Sequence, residues 1–245
     1  MPTTNPITIT ADAKTKVYGD TDPTLTYQIT SGSLVNGDSL SGALTRDAGE
    51  TVGTYAIHQG TLAAGSNYTV TYVSHNLSIS ARILSIKADP KTKVYGDADP
   101  TFTYQITSGS LINGDTLTGA LTRAAGENVG TYSILQGSLD AGINYVITYN
   151  GANLTITKAN QTITFGPLPT ATVGDPPFTL SATASSGLAV TYSSDNTGVA
   201  TISGNTVTIV GQGTANITAS QAGNGNYNAA PDVVQPLNVN PAPEP

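Results

Sequence analysis

The chain has 245 residues and a formal net charge of −7, and only 10% of its residues are charged, against roughly 25% in an average soluble domain. It has no Lys or Arg cluster, so nucleic acid and anionic membranes are poor partners, and no Cys, which excludes disulfides and thiolate metal sites. No apolar run reaches the length of a membrane span, and "MPTTNPITIT" lacks the basic start and apolar stretch of a signal peptide, so a secreted protein would carry its export signal elsewhere.

In chain order, "ITIT", "TLTYQIT", "GTYAI", "YTVTY" and "NLSIS" alternate polar and apolar residues with the period of a half-buried strand. The core candidates are Ile7, Ile9, Leu25, Tyr27, Ile29, Tyr55, Ile57, Tyr68, Val70, Tyr72, Leu77 and Ile79. Asn-Gly, Asp-Pro and Ser-Gly break these runs at short intervals, and no window keeps a helical stripe free of Gly or β-branched residues. The expected class is all-β, built from small sandwiches.

Shifting the chain by 77 residues lays Asp12–Arg46 on Asp89–Arg123 with few, mild changes: Leu25 becomes Phe102, Val35 becomes Ile112 and Ser39 becomes Thr116. A third module opens with "QTITFGPLPTATVGDPPFTL", whose "TVGDPP" stands where the repeats have "VYGDTDP". Further on, "VATIS" and "TVTIV" flank Gly204-Asn205, a two-residue hairpin signal. The expected modules are 6–81, 82–159 and 160–241, with a Pro-rich tail at 242–245. Linkers are short, and compact domains of this size measure roughly 30–40 Å, so three in line form an extended rod on the order of 100 Å.

The pattern "KVYGDxDPxxTYxIxSGSLxNGDxLxGALTRxAGExVGTYxI" resembles the MBG repeats of very large bacterial surface proteins. The third module resembles the bacterial immunoglobulin-like (Big-type) repeats, through Tyr192–Ser220 and "GNGNYNAAP" (Gly223–Pro231). These resemblances imply a structural stalk or spacer in a bacterial cell-surface or secreted adhesin. It would project other regions for adhesion or surface motility, with the rest of that large protein as its partner and with no catalytic residues to carry over.

Catalysis finds little support in the residues themselves. The two histidines, His58 and His75, become Leu135 and Ala152 in the second copy, and Glu occurs only at 50, 127 and 244. A calcium clamp is an alternative for the repeated "KVYGD", with Asp20, Asp22 and Asp38 as ligands and Asp97, Asp99 and Asp115 in the copy. Otherwise it is a corner in which Gly19 takes a positive φ, Asp20 bonds its own backbone and Tyr18 lies across with its hydroxyl bonded. No cofactor other than calcium is suggested. An internal Lys–Asn cross-link from Lys14 or Lys16 to Asn76 beside Glu50, with Lys91 or Lys93, Glu127 and Asn153 in the copy, would require Lys and Glu to be buried together. Without Trp, and with ten of twelve Tyr falling five per repeat at strand-like positions, no aromatic glycan platform stands out. Loop recognition of a glycan or surface protein, possible with calcium, is the rival to a monomeric spacer.

Overall fold

The structure is a computed structural model that describes residues 4–244, so Pro245 of the expected tail and Met1–Thr3 of the opening lie outside the described residues. All regular elements among the described residues are strands. The chain divides into two compact units, Met1–Asp89 with Phe102–Arg123 and Ile134–Ala152, and Pro90–Thr101 with Ala124–Ser133 and Asn153–Pro245. The division passes through the second repeat, so each junction between modules falls inside one unit.

In the first repeat, β1 (Asn5–Ala11), β3 (Tyr27–Ser31) and β6 (Tyr68–Val73) make one sheet, in the order β3-β1-β6. The strands β2 (Lys14–Val17), β4 (Thr45–Arg46), β5 (Gly53–His58) and β7 (Asn76–Ser80) make the other, in the order β2-β7-β5-β4. Ile7 and Ile9 are buried while Thr8 and Thr10 face outward, as alternation requires. Leu34, Leu40 and Leu44 of the long loop pack on them beside Leu62 and Tyr68. Full burial, as at Ile7, Ile9 and Leu62, stabilises the fold by about 1.5–3 kcal/mol per side chain. Of the core candidates, Ile7, Ile9, Ile57, Tyr68, Leu77 and Ile79 are buried and the others half-buried. Leu25 lies outside a strand, because pairing with β1 begins only at Tyr27, opposite Ala11.

The second repeat copies these pairings. β8 (Arg82–Ala88) pairs antiparallel with β10 (Tyr104–Ser108) and parallel with β13 (Tyr145–Asn150). β9 (Lys91–Val94) lies parallel to β14 (Ala152–Thr157), and β11 (Thr122–Arg123) pairs with β12 (Gly130–Leu135).

The third module contains β15 (Ile163–Thr164), β16 (Ala171–Thr172), β17 (Phe178–Thr179), β18 (Thr183–Ala184), β19 (Thr191–Ser194), β20 (Ala200–Ser203), β21 (Thr206–Ile209), β22 (Gly213–Ser220) and β23 (Val233–Asn240). Its sheets run β15-β18, β16-β23-β22-β19 and β17-β21-β20 around a core that includes Val207, Ile217 and Leu237. Gly204-Asn205 forms the expected hairpin, with Ser203 opposite Thr206 and Gly204 at φ 60°.

Candidate functional site

The Lys-Val-Tyr-Gly-Asp segment ends β2 in a tight turn. The Asp20 N–H donates to Val17 O at 3.0 Å, Gly19 stands at φ 83°, and the Tyr18 N–H continues the ladder to Ser80 O. The same turn recurs at Asp97 and Val94, and at Asp175 and Thr172 in the third module, where Val173 replaces the tyrosine.

Behind this corner lies an ion cluster. Lys16 is buried on β2, and its ammonium donates to Asp22 at 2.6 Å, Glu50 at 2.5 Å and Asp20 O at 3.2 Å. Its three protons therefore meet three acceptors. Burial works against that charge, but the bonds to Asp22 and Glu50 more than offset it, and the pKa of Lys16 is raised. Arg46 grips Asp22 through two nitrogens at 2.6 and 3.0 Å, pairs with Glu50, and caps the carbonyls of Asp47 and Gly49. Chiefly through Arg46 and then Lys16, Asp22 is held down to about 2. In the copy, Lys93 repeats the pattern with Asp97 O, Asp99 and Glu127. The cluster ties the corner to the Glu50-Thr51-Val52-Gly53 turn, which is 34 residues away at Glu50.

Corner and turn together form the donating half of a junction. The receiving half belongs to the next repeat and is built on Asn113-Gly114, whose left-handed φ values of 53° and 80° suit a tight hairpin turn. That turn presents Ile112 and Asp115. The Tyr145 hydroxyl accepts the Ile112 N–H at 2.9 Å and donates to Asp115 at 2.8 Å. Tyr18 of the first repeat donates to the same carboxylate at 2.9 Å, with its ring edge-on to Tyr145 at 5.6 Å. Asn144 accepts the Val52 N–H at 3.0 Å, and Arg82 reaches Tyr18 O and Asp20. Burial pushes the Tyr145 phenol up, and Asp115 adds to the effect.

The third module receives the second repeat in the same way. Tyr95 meets Tyr227 edge-on at 5.4 Å, Asn226 accepts the Val129 N–H at 3.0 Å, and Ala159 N donates to Asn226 O as Arg82 N does to Asn144 O.

The six calcium candidates are therefore distributed among different roles. Asp22 and Asp99 face lysines, Asp20 faces Arg82, and Asp38 and Asp115 accept tyrosine hydroxyls, while Asp97 lends its carbonyl to Lys93. Among the described residues no three His, Asp or Glu side chains gather as a metal-holding group. The carboxylate of Asp20 reaches Arg82 rather than its own backbone; a local bond of this kind is made in the third module, where Asp175 accepts the Thr172 N–H. For the cross-link, Lys16 is buried and bonded to Glu50, but the Glu50 side chain is 60% exposed, and Asn76 is exposed on β7 while Lys16 lies opposite the buried Ile79. A fully bonded ammonium also has no lone pair with which to attack. His58 pairs with Asp47 at 2.7 Å on the surface.

The geometry defines a tandem all-β repeat protein whose polar site lies at the joints. The chain belongs to the MBG domain (YGX type) family, whose model matches residues 7–78 and 84–155 and does not extend into the third module. No curated protein matches the chain. Among solved structures it is similar to Drosophila N-cadherin EC1-4, with 10% identity over 98% of this chain and 76% of that one and a TM-score of 0.31. It is also similar to Sidekick-1 immunoglobulin domains 1-4, at 12% over 94% and 74% with a TM-score of 0.28, and to the I9-I11 tandem from titin, at 10% over 98% of each with a TM-score of 0.24.

Proposed function

We propose that the chain is a structural spacer from a large bacterial cell-surface protein, holding apart and projecting other regions for adhesion or surface motility. Modules 6–81 and 82–159 are the MBG repeats, and 160–241 is a bacterial immunoglobulin-like repeat that continues them. The partner of the segment is the remainder of the same protein, and it performs no catalysis. One observation carries this reading: both junctions use the same parts, a backbone N–H of one module held by an asparagine of the next beside an edge-on tyrosine pair. A bonded, half-buried joint resists bending more than a bare linker does, because opening it gives up hydrogen bonds worth about 1 kcal/mol each. The low surface charge and the Thr, Ser and Asn of the outward-facing strand positions suit a segment that binds little itself.

Small-angle scattering of the whole chain tests the proposal, once in EDTA and once in millimolar calcium. The spacer predicts an extension on the order of 100 Å that calcium leaves unchanged. A compact particle, or one that lengthens only with calcium, would displace it in favour of a calcium-dependent binding module.

A further inference from the structure

The first repeat carries a receiving half of its own. Asn36-Gly37, with φ of 57° and 76°, presents Val35 and Asp38, and the Tyr68 hydroxyl accepts the Val35 N–H and donates to Asp38, both at 2.9 Å. Asn5 N donates to Asn67 O at 2.8 Å, as Arg82 N does to Asn144 O. Among the described residues Asn67 makes no side-chain hydrogen bond, and Asp38 takes one phenol where Asp115 takes two. Val35, Asp38 and Asn67 are exposed, whereas Ile112, Asp115 and Asn144 at the same positions are partly buried. Val35 itself is 40% exposed, an apolar pad at the position where Ile112 lies against Gly19.

We propose that the Val35, Asp38, Asn67 and Tyr68 end is an interaction surface for a further MBG repeat joined in line ahead of Asn5. That repeat would insert its Tyr-Gly-Asp corner and offer the N–H of its Glu-x-Val-Gly turn. The chemistry is specific. Asp38 needs a phenol donor, Asn67 a backbone N–H, and Val35 a glycine that permits close approach. The corner of the third module has Val173 where the phenol is required, and Tyr18 and Tyr95 are already engaged at their own junctions, so the occupant is a repeat other than these three. Asn5 already holds the backbone position that Arg82 occupies one residue beyond Ala81, so a repeat ending like Ser80-Ala81 arrives in register.

The proposal names the partner of one end of the spacer and rests on that reading. The test is the chain extended by a copy of residues 5–81 placed directly ahead of Asn5, followed by amide hydrogen exchange. The Val52 N–H of the added copy is expected to be protected, and Asn67→Ala to speed its exchange about fivefold, the effect of one net hydrogen bond. In the unextended chain Asn67→Ala should leave the melting temperature unchanged, because that side chain makes no hydrogen bond among the described residues. Tyr18→Phe in the added copy should loosen the same amide. If the duplicated sequence folds poorly, a copy of residues 82–158 replaces it, with Val129 as the reporter. An added amide that exchanges equally fast with and without Asn67 would overturn the proposal, as would concentration-dependent dimers of the unextended chain, which would put the occupant on another molecule. Protected native Val52 and Val129 amides in those cases leave the spacer reading standing; their loss would remove it too.

Discussion

Asn144 of the second repeat accepts the backbone N–H of Val52 in the first at 3.0 Å, across 92 residues of sequence. Asn226 treats Val129 identically, although the module that carries it lies outside the family match. The joint is therefore shared more widely than the repeat itself. What the two receiving ends have in common is a short Asn-Tyr unit, Asn144-Tyr145 and Asn226-Tyr227, entering where the preceding module leaves a corner and a turn side by side.

Removing either asparagine should loosen one joint and spare the other. Asn144→Ala leaves the Val52 N–H without its acceptor, which costs about 1 kcal/mol and speeds its exchange about fivefold. Asn226→Ala should do the same to Val129 alone. Residue-resolved hydrogen exchange checks both, and a variant that loosens both amides would show the joints to be coupled.

Gly19 and Gly96 stand at φ 83° and 89°, yet they should respond differently to alanine. Either substitution forces a side chain into the left-handed region, at about 1–2 kcal/mol. At Gly19 the new Cβ would also fall 1.7 Å from Ile112 Cδ1, whereas at Gly96 nothing lies within 4 Å. Gly19→Ala should therefore destabilise more in urea titrations, and Ile112→Ala should recover part of that difference without helping Gly96→Ala.

The strands were readable because a half-buried strand writes its two faces into alternate residues, and Ile7, Ile9, Leu77 and Ile79 do so plainly. The Gly204-Asn205 hairpin and the corner at Gly174 were readable for a similar reason, since positive φ selects glycine. The joint was not. The sequence brings Lys16 and Glu50, 34 residues apart, together only as parts of a cross-link to Asn76 rather than as a joint, and Asp20 and Asp22 look like a pair although one turns to Arg82 and the other to Lys16 and Arg46. A signal did exist in the recurrence of Ala-Gly-x-Asn-Tyr at 64–68 and 141–145 and its longer form at 222–227. Strand periodicity is blind to it, because the contacts it makes are with another module.

Acid should weaken the first repeat through its ion cluster. Asp22 is held at about 2, below its ordinary 3.8, and Glu50 is also lowered, by Lys16 and then Arg46. A carboxylate with a depressed folded pKa contributes stability above its unfolded value and loses it as the pH falls through the folded one. Urea midpoints should therefore drop between about pH 4 and pH 2. The side chain of Asp22 is 41% exposed, so solvent screens the pair and salt should shrink the effect. Asp22→Asn should start less stable at pH 6 and show a flatter acid limb.

Alkali should act on the buried phenols. Burial raises Tyr72 and Tyr149, and burial with the help of Asp115 raises Tyr145. For a raised group the stabilisation is complete below the unfolded pKa, near 10, and is lost as the pH rises through the folded value. Spectrophotometric titration should show these phenols ionising late, together with unfolding. Asp115→Asn removes a negative neighbour and a bond acceptor from Tyr145, so that phenol should titrate earlier while Tyr72 stays where it is.

The two sides of the cluster should not be equally replaceable. The side chain of Lys16 is 4% exposed, whereas Asp22 and Glu50 are 41% and 60% exposed. Lys16→Met removes the buried charge, fills similar volume with an apolar chain and leaves both carboxylates to Arg46 and water, so stability should change by less than about 1 kcal/mol. Replacing Asp22 and Glu50 together by Ala keeps the ammonium buried with only a backbone carbonyl to face, and should cost about 3–5 kcal/mol. Urea unfolding of the two variants measures the contrast, and the Val52 amide measures its consequence. Because Lys16 shares with Arg46 the tie between corner and turn and, among the described residues, alone holds the Asp20 carbonyl, Lys16→Met should speed exchange at Val52 even where global stability is unchanged. Equal stability losses from both variants would mean that Lys16 contributes through its charge rather than through its position.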